Sequence, residues 1–309
     1  MDGSVFFMEW EESFIAWLQQ LGGEGGFKTF LVWLNNFFSF LGEEYFAVMV
    51  MGIVYWGIDK KKGERIGFAV VASLVGNTLI KNKFRRIRPW ASSDKINLLR
   101  EVDGYSFPSA HSSSATALYP TLAAEYKSKK WLRIPAILIP VLIAFSRCYL
   151  GAHWPTDVLC GLLLGLLFFA LSEFVLKRID NKYILYIIVG VIGVLGMFYC
   201  TTDDYFSNYG IYIGFCSGML FDDKVVRFEN TKSVPLIAIR TLCGGLIFFA
   251  LNSLVKLLIG GIFPEDTFGF LLLRTVRYAI VVFLILGVYP ALFKPVEGFF
   301  RKKFLKKVN

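Results

Sequence analysis

The chain has only two histidines, His111 and His153, and each stands among residues that bind charge or move protons. His111 closes "PSAH" (108–111), where a Gly, Ser and Pro loop runs into the small apolar segment "SSSATALYP". His153 lies in "SRCYLGAHWPTD" (146–157), four residues before Asp157. At a helix start that spacing puts the two side chains on one face. A carboxylate there holds one imidazole nitrogen and raises the basicity of the other, which suits His153 as a nucleophile. His111 is then the candidate acid for a leaving oxygen. Lys81, Arg88 and Arg147 supply cations suited to a tetrahedral oxyanion, since guanidinium binds phosphate oxygens in a bidentate way. "PSAH" at the head of a helix adds backbone N–H groups and a positive dipole end. The set points to phosphoryl transfer to histidine and then to water. No metal is called for, because the arginines neutralise the transition-state charge.

These residues lie far apart in the chain, so the elements between them must bring them together. Hydrophobic residues make up 55% of the sequence and charged residues 18%, against about a quarter charged in soluble domains. Several stretches approach the roughly 20 apolar residues that span a bilayer. The expected fold is therefore all-α: a polytopic membrane bundle of about nine transmembrane helices, near 44–58, 66–80, 109–126, 132–149, 155–176, 183–200, 207–221, 234–257 and 268–292. Lys81 and Arg88 end the second span, Ser109 and His111 begin the third, Arg147 ends the fourth, and His153 and Asp157 begin the fifth. Alternating spans put all four of these helix ends at one membrane face.

Loop charge sets the orientation. One set of loops, with the tail "RKKFLKKVN", carries 20 Lys and Arg, and the other carries 8. The first set is expected in the cytoplasm, with the C-terminus. Seven of the eight exceptions fall in "KNKFRRIRPWASSDKINLLREVDGYSFPS", on the face that holds both histidines. The site is thus expected on the extracytoplasmic side. Lys83, Arg85 and Arg86 read equally well as contacts to anionic headgroups, and Asp94, Lys95 and Arg100 as solvated loop charges.

Residues 5–20 place Phe6, Trp10, Phe14, Trp17 and Leu18 at helical spacing with Glu9, Glu11 and Glu12 between them, as in a helix lying in the interface. Residues 27–42 are apolar but short and interrupted by Asn35 and Asn36, so they read as interfacial or re-entrant. The expected organisation is 1–43 as N-terminal interfacial or re-entrant helices, 44–176 as a core with the chemistry, and 177–309 as additional helices. The acidic N-terminus shows no basic region and no small-residue cleavage site, so no signal peptide is expected. The five cysteines have no paired spacing and read as small buried hydrophobes. With two histidines, no zinc or iron–sulfur site and no cofactor is expected. The net charge of +9 reflects basic loops; no soluble basic module offers a nucleic-acid footprint.

The blocks "KNKFRRIRP" (81–89), "PSAH" (108–111) and "SRCYLGAHWPTD" (146–157) resemble the three signature motifs of the type 2 phosphatidic acid phosphatase family. That family includes lipid phosphate phosphatases, undecaprenyl pyrophosphate phosphatases, sphingosine-1-phosphate phosphatases, glucose-6-phosphatase and vanadium haloperoxidases. Lys81, Arg88 and Pro89 match the first motif, Pro108, Ser109 and His111 the second, and Ser146, Arg147, His153 and Asp157 the third. Residues 40–60 are similar to the first helix of the branch with sphingosine-1-phosphate phosphatases and related bacterial enzymes. The resemblance implies that Lys81, Arg88, Ser109, the Ala110 N–H and Arg147 hold phosphate, that His153 attacks with Asp157 orienting it, and that His111 is the acid. The family usually has Gly where this chain has Ala110. Phosphate binding survives that change unless the position needs positive φ.

The expected function is a metal-independent membrane phosphatase of a lipid phosphate or diphosphate (phosphatidate, polyprenyl (di)phosphate or sphingoid phosphate), with membrane lipids around it and no nucleic acid. The alternatives are a phosphatase of a soluble sugar phosphate, and a lipid transporter or flippase using the same phosphate site. Arg274 and Arg277, intramembrane and three apart, read as pairing or snorkelling residues, with substrate contact or a homodimer seam as the other reading. Compact loops suit a bacterial plasma membrane.

Overall fold

The computed structural model describes residues 8–265 and 267–298. Among them every regular element is helical. In chain order these are α1 (Glu9–Gln20), α2 (Gly26–Leu41), α3 (Glu44–Gly52), α4 (Lys60–Phe84), α5 (Pro89–Ser92), α6 (Ala110–Glu125), α7 (Arg133–Tyr149), α8 (Pro155–Ala170), α9 (Lys182–Gly196), α10 (Asp203–Phe221), α11 (Val234–Ile259) and α12 (Phe268–Phe283). Wider π turns prolong α3 to Ile58, α8 to Leu176, α10 to Val226 and α12 to Val288.

Each of the nine stretches read as a span contains helix, but fewer have the length and apolar composition of a lone crossing. Four helices are long and apolar enough to cross a bilayer on their own: Lys130–Tyr149, Pro155–Leu176, Val234–Ile259 and Phe268–Gly298. A fifth results if α2 and α3 with its π turn, bent by 50°, form one broken span. The physical reason lies in α4 and α6. Their polar residues, Ser73, Asn77 and Thr78 on one and Ser112, Ser113, Ser114 and Thr116 on the other, are buried against protein and never meet lipid. Such helices need no uniformly apolar surface. By contrast α7 exposes Ile134, Ile137, Leu138, Val141 and Phe145, the one-sided stripe of a helix facing hydrocarbon.

The described residues form two compact units: one from residues up to Val48 with Arg65–Tyr205, the other from Met49–Glu64 with Phe206 onward. In the first unit α6 packs on α7 and, most closely, on α8. Gly161 and Gly165 allow this. A Cβ at Gly161 would stand 2.6 Å from the Ser109 carbonyl oxygen, and one at Gly165 2.4 Å from that of Ser113. This is the small-xxx-small seam of membrane helices. A core of Ile15, Leu18, Ile96, Ala144, Cys148, Leu150, Trp154 and Val158 joins α1 to the facing ends of α7 and α8. At the other end of the bundle Arg65, Glu125 and Lys177 pair, with Arg65 Nε–Glu125 Oε1 at 2.7 Å and Lys177 Nζ–Glu125 Oε1 at 2.7 Å.

Helix α1 is two-sided: Glu9, Trp10, Ser13, Trp17 and Gln20 are exposed, whereas Glu11, Ile15, Leu18 and Gln19 are buried. Phe6 lies outside the described residues. The cysteines are all free; Cys148 and Cys200 are buried as expected, but Cys243 is exposed on α11.

In the second unit, glycines 210, 214 and 218 of α10 back onto α12, where added Cβ atoms would meet the carbonyl oxygens of Thr275 and Ala279 at 2.4 and 2.6 Å. Its intramembrane arginines are paired internally. Arg240 donates to the Trp56 carbonyl at 2.6 Å and pairs with Glu297. Arg274 donates to Ser207 Oγ at 2.8 Å, and the Arg277 guanidinium lies 4.7 Å from the Tyr278 ring centre.

Candidate active site

Five residues connect α7 to α8, and their geometry sets the site. The amides of Ala152 and His153 both donate to the Arg147 carbonyl, at 3.1 and 3.2 Å. This hairpin needs a glycine: Gly151 has φ +71°, and a Cβ there would lie 2.4 Å from the Asn97 carbonyl oxygen. Trp154 is fully buried and donates Nε1–H to the Ile87 carbonyl at 3.0 Å, tying the turn to the loop after α4. Pro155 opens α8, where its missing N–H costs nothing. Asp157, in the first turn, accepts from the Trp154 amide at 2.8 Å through Oδ2.

His153 is thereby held with both ring nitrogens defined. Nε2 faces Arg88 Nη1 at 3.3 Å, and Nδ1 faces Asp157 Oδ2 at 3.5 Å. Arginine only donates, so Nε2 carries the lone pair and the proton sits on Nδ1, toward the carboxylate. At 3.5 Å that contact is an electrostatic approach rather than a formed hydrogen bond. Burial, followed by the charges of Arg88, Arg147 and Lys81, pushes the His153 pKa well below its ordinary value. The ring is therefore neutral at physiological pH, with a free nitrogen aimed at a cluster of cations.

The other expected site residues converge on this ring. Arg88 is 5% exposed; it donates Nε–H to the Gly104 carbonyl at 2.9 Å and Nη1–H to that of Ala152 at 2.8 Å. Burial lowers its pKa to about 10, with Asp157, Asp204 and Asp103 opposing, so it stays cationic at neutral pH. Arg147 is 1% exposed and donates to Ser39 Oγ at 2.6 Å. Lys81 is buried within electrostatic reach of Arg88 and Asp157. Ser109, at the N-cap of α6, gives its amide to the Asp157 carbonyl at 3.0 Å and accepts from the Ser112 amide through Oγ. Asn77 steadies the same stretch from α4, donating to the Pro108 carbonyl at 3.3 Å and to Ser113 Oγ at 3.2 Å. Ala110 takes the first helical position, and the non-glycine residues with positive φ among those described are Arg85 and Arg227. The position therefore makes no demand that only glycine meets.

His111 is half-buried in the first turn of α6, within electrostatic reach of Arg147 and His153. Gly42 backs onto it: a Cβ there would stand 3.3 Å from His111 Cβ. Three side-chain nitrogens of the site, His111 Nε2, His153 Nδ1 and Arg147 Nε, are buried without a hydrogen-bond partner. Buried polar atoms are nearly always paired, and exceptions collect where a ligand binds or a proton moves. Among the described residues no three His, Cys, Asp or Glu side chains are grouped to hold a metal ion.

Sequence reasoning missed several residues here. Arg86, read as a headgroup contact, is 2% exposed and pairs with Asp157 at 2.6 Å and with Glu11 at 2.8 Å. Arg100, read as a solvated charge, bonds to Asn36 and Glu43. Ser106 donates its hydroxyl to Asp157 Oδ2. The N-terminal helices grip the long loop throughout: Gln19 exchanges hydrogen bonds with Asn97, both at 2.9 Å, and Glu12 accepts from Lys95 at 2.9 Å. One signal existed in the sequence. Glu11, Ile15 and Leu18 follow the i, i+4, i+7 spacing of a buried stripe, which sets Glu11 apart from Glu9 and Glu12.

The stretch that carries these residues lies within a region that matches known proteins. Residues 64–181 match the PAP2 superfamily, and residues 206–298 match the PAP2 superfamily phosphatase, transmembrane extension. Phosphatidylglycerophosphatase B of Bacillus subtilis (strain 168) is 40% identical over 114 residues, covering 34% of this chain and 52% of that protein. Undecaprenyl-diphosphatase of Sulfolobus acidocaldarius is 33% identical over 137 residues, covering 43% and 64%. Sphingosine-1-phosphate phosphatase 1 of Rattus norvegicus is 31% identical over 192 residues, covering 58% and 44%. The chain thus spans roughly half the length of these curated relatives. With both matches in sequence along one chain, this protein belongs to the PAP2 superfamily, as a PAP2 domain followed by the superfamily's transmembrane extension.

Proposed function

We propose that this chain is an integral membrane phosphatase that hydrolyses a lipid phosphate or diphosphate through a phosphohistidine, without a metal. The observation that carries this reading is the His153 ring. Burial and the neighbouring cations hold its pKa well below the ordinary value, its Nε2 faces Arg88 at 3.3 Å, and its Nδ1 faces Asp157 at 3.5 Å. A pure binding site for phosphate has no use for an unprotonated imidazole amid cations.

The reaction follows from the positions. Lys81, Arg88, Arg147, Ser109 and the Ala110 amide hold the phosphoryl oxygens and neutralise the charge that grows on them. His153 Nε2 forms a bond to phosphorus while the bond from phosphorus to the leaving oxygen breaks. His111 donates a proton to that oxygen, which departs with the lipid as an alcohol or, from a diphosphate, as the lipid monophosphate. Asp157 stabilises the Nδ1–H of the now cationic ring. Water then attacks phosphorus, His111 takes its proton, the N–P bond breaks, and inorganic phosphate leaves with His153 restored.

The finer reading adds that the bundle makes about nine crossings, with residues 44–176 as the phosphatase core and the later helices as an extension. The site lies on the extracytoplasmic face of a bacterial plasma membrane and the C-terminus in the cytoplasm. The tail that carries the C-terminal charges lies outside the described residues. The relatives' names support a lipid carrying one or two phosphates on a diacylglycerol, polyprenyl or sphingoid chain. The test is phosphate release by detergent-purified protein with EDTA present. Substrates are phosphatidic acid, phosphatidylglycerol phosphate, undecaprenyl mono- and diphosphate, sphingosine-1-phosphate and glucose-6-phosphate, with His153→Ala as control. Turnover of a lipid that is lost in the control supports the reading; turnover of glucose-6-phosphate alone, or of nothing, overturns it.

A further inference from the structure

Helix α1 lies outside the region matched to the PAP2 superfamily, which begins at residue 64. It nevertheless sends one charge into the site. Glu11 is fully buried, with both carboxylate oxygens engaged. Oε1 accepts from the Thr156 amide at 3.0 Å and the Thr156 hydroxyl at 2.7 Å, both in the first turn of α8. Oε2 accepts from Arg86 Nη2 at 2.8 Å. Arg86, itself buried, then donates Nη1–H to Asp157 Oδ1 at 2.6 Å and to Thr156 Oγ1 at 2.7 Å. A continuous chain of buried charge runs from Glu11 through Arg86 to Asp157, and the far oxygen of Asp157 faces His153 Nδ1 at 3.5 Å.

We propose that Glu11 and Arg86 are positioning residues that set the charge and aim of Asp157 behind His153. Each of the two moves the field at His153 in a known direction. Arg86 occupies Oδ1, so that Oδ2, held by the Trp154 amide and the Ser106 hydroxyl, is the oxygen that faces the ring. Alone, its positive charge would cancel much of the carboxylate's field in this dry interior. Glu11 returns that charge, so the three groups carry a net negative charge and Asp157 acts on His153 as a full carboxylate. Glu11 also pins the first turn of α8, from which Asp157 projects. The role is one within the phosphatase reading above.

Opposed signs make a signature that a purely structural role lacks. Replacing Glu11 by Gln removes a negative charge and moves the His153 titration to lower pH; replacing Arg86 by Met removes a positive charge and moves it up. The other charged or titratable groups facing His153 and Asp157 are Arg88, Arg147, Lys81, His111, Cys148 and Cys160, and all are untouched by these changes.

The test is ¹⁵N-imidazole NMR of the full chain in detergent across pH. With two histidines the spectrum has two rings to assign, and His111→Gln identifies the His153 signals. Expected are shifts of opposite sign in E11Q and R86M and an intermediate value in the E11Q/R86M double variant. The double variant removes the pair together and so avoids stranding one buried charge. Phosphate release by the single variants is expected to fall about 10- to 100-fold in kcat with little change in KM, the scale for groups one step behind a reacting residue. Titrations that stay at the wild-type position, or move the same way in both single variants, overturn the proposal even if activity falls. If both singles fail to fold, E11D is read instead: withdrawing the carboxylate by one methylene should move the His153 titration to lower pH, and an unmoved titration overturns the proposal. A wild-type chain that releases no phosphate counts against the phosphatase reading, and the NMR result then still decides whether this charge chain acts on His153.

Discussion

His153 donates its backbone amide to the carbonyl of Arg147 at 3.2 Å, so the proposed nucleophile and one of the cations proposed to hold phosphate are fixed by the same tight turn. The guanidinium of Arg147 comes from the last turn of α7 and the imidazole from the residue just before α8 opens. Neither can shift without the other.

That turn depends on Gly151. Its φ of +71° and the 2.4 Å approach of a Cβ to the Asn97 carbonyl make Gly151→Ala doubly strained. A loss of about 1–3 kcal/mol in stability is expected, together with a fall in kcat as His153 leaves its line to Arg88. Thermal unfolding and turnover measured on the same preparation check this; a variant with wild-type values in both refutes the turn's role.

The two histidines are expected to fail differently. His153→Ala removes the atom that bonds to phosphorus and should abolish phosphate release. His111→Ala removes the acid and should slow an alkyl phosphate by about 10²–10⁴-fold. p-Nitrophenyl phosphate, whose leaving group departs without a proton, should lose far less. Equal losses on both substrates would take the acid role from His111.

Acid should destabilise the fold through His153. Burial, then Arg88, Arg147 and Lys81, hold its pKa well below the ordinary 6.5. Below that pH the unfolded chain binds a proton there that the folded chain does not. Stability from this group is therefore present above pH 6.5 and is lost as the pH falls through 6.5 toward the folded value, with a slope of up to about 1.4 kcal/mol per pH unit. Thermal unfolding on either side of this window should show a steeper decline for the wild type than for His153→Gln. Identical slopes would remove His153 as the source.

The seam between α6 and α8 holds Ser109 against Asp157. A Cβ at Gly165 would lie 2.4 Å from the Ser113 carbonyl and 2.5 Å from Thr116 Cβ. Gly165→Val is expected to force the helices apart at a cost of about 1–3 kcal/mol and to lower kcat more than it raises KM. A denaturation midpoint equal to wild type would contradict the close packing.

Arg274 is expected to matter for stability rather than chemistry. Its Nε donates to Ser207 Oγ at 2.8 Å within the second unit. Arg274→Ala should reduce stability by about 1 kcal/mol and leave turnover within about twofold. A large loss of kcat in well-folded protein would return it to the list of substrate contacts.

Much of the site was legible because its residue types are rare in an apolar chain. Two histidines, buried-side cations and one aspartate at helix ends have few other reasons to be there. The helices were legible too, from their apolar runs. Which helices are covered by protein was not, since hydropathy treats every span as if lipid surrounded it. In α4 and α6 the polar side chains are covered by neighbouring helices.

By itself, then, the sequence determined the helical class, the order of the three blocks and the residue types on which the proposed chemistry rests, because those follow from composition, period and local spacing. Only the tertiary structure decided which charges face inward. Glu11 and Arg86 are separated by 75 residues, and Arg147 and Ser39 by 108, yet each pair is in direct contact. Whether a charge sits in water or is buried depends on what packs over it. Helix α1 covers Arg86 and α2 covers Arg147, and no local spacing encodes that.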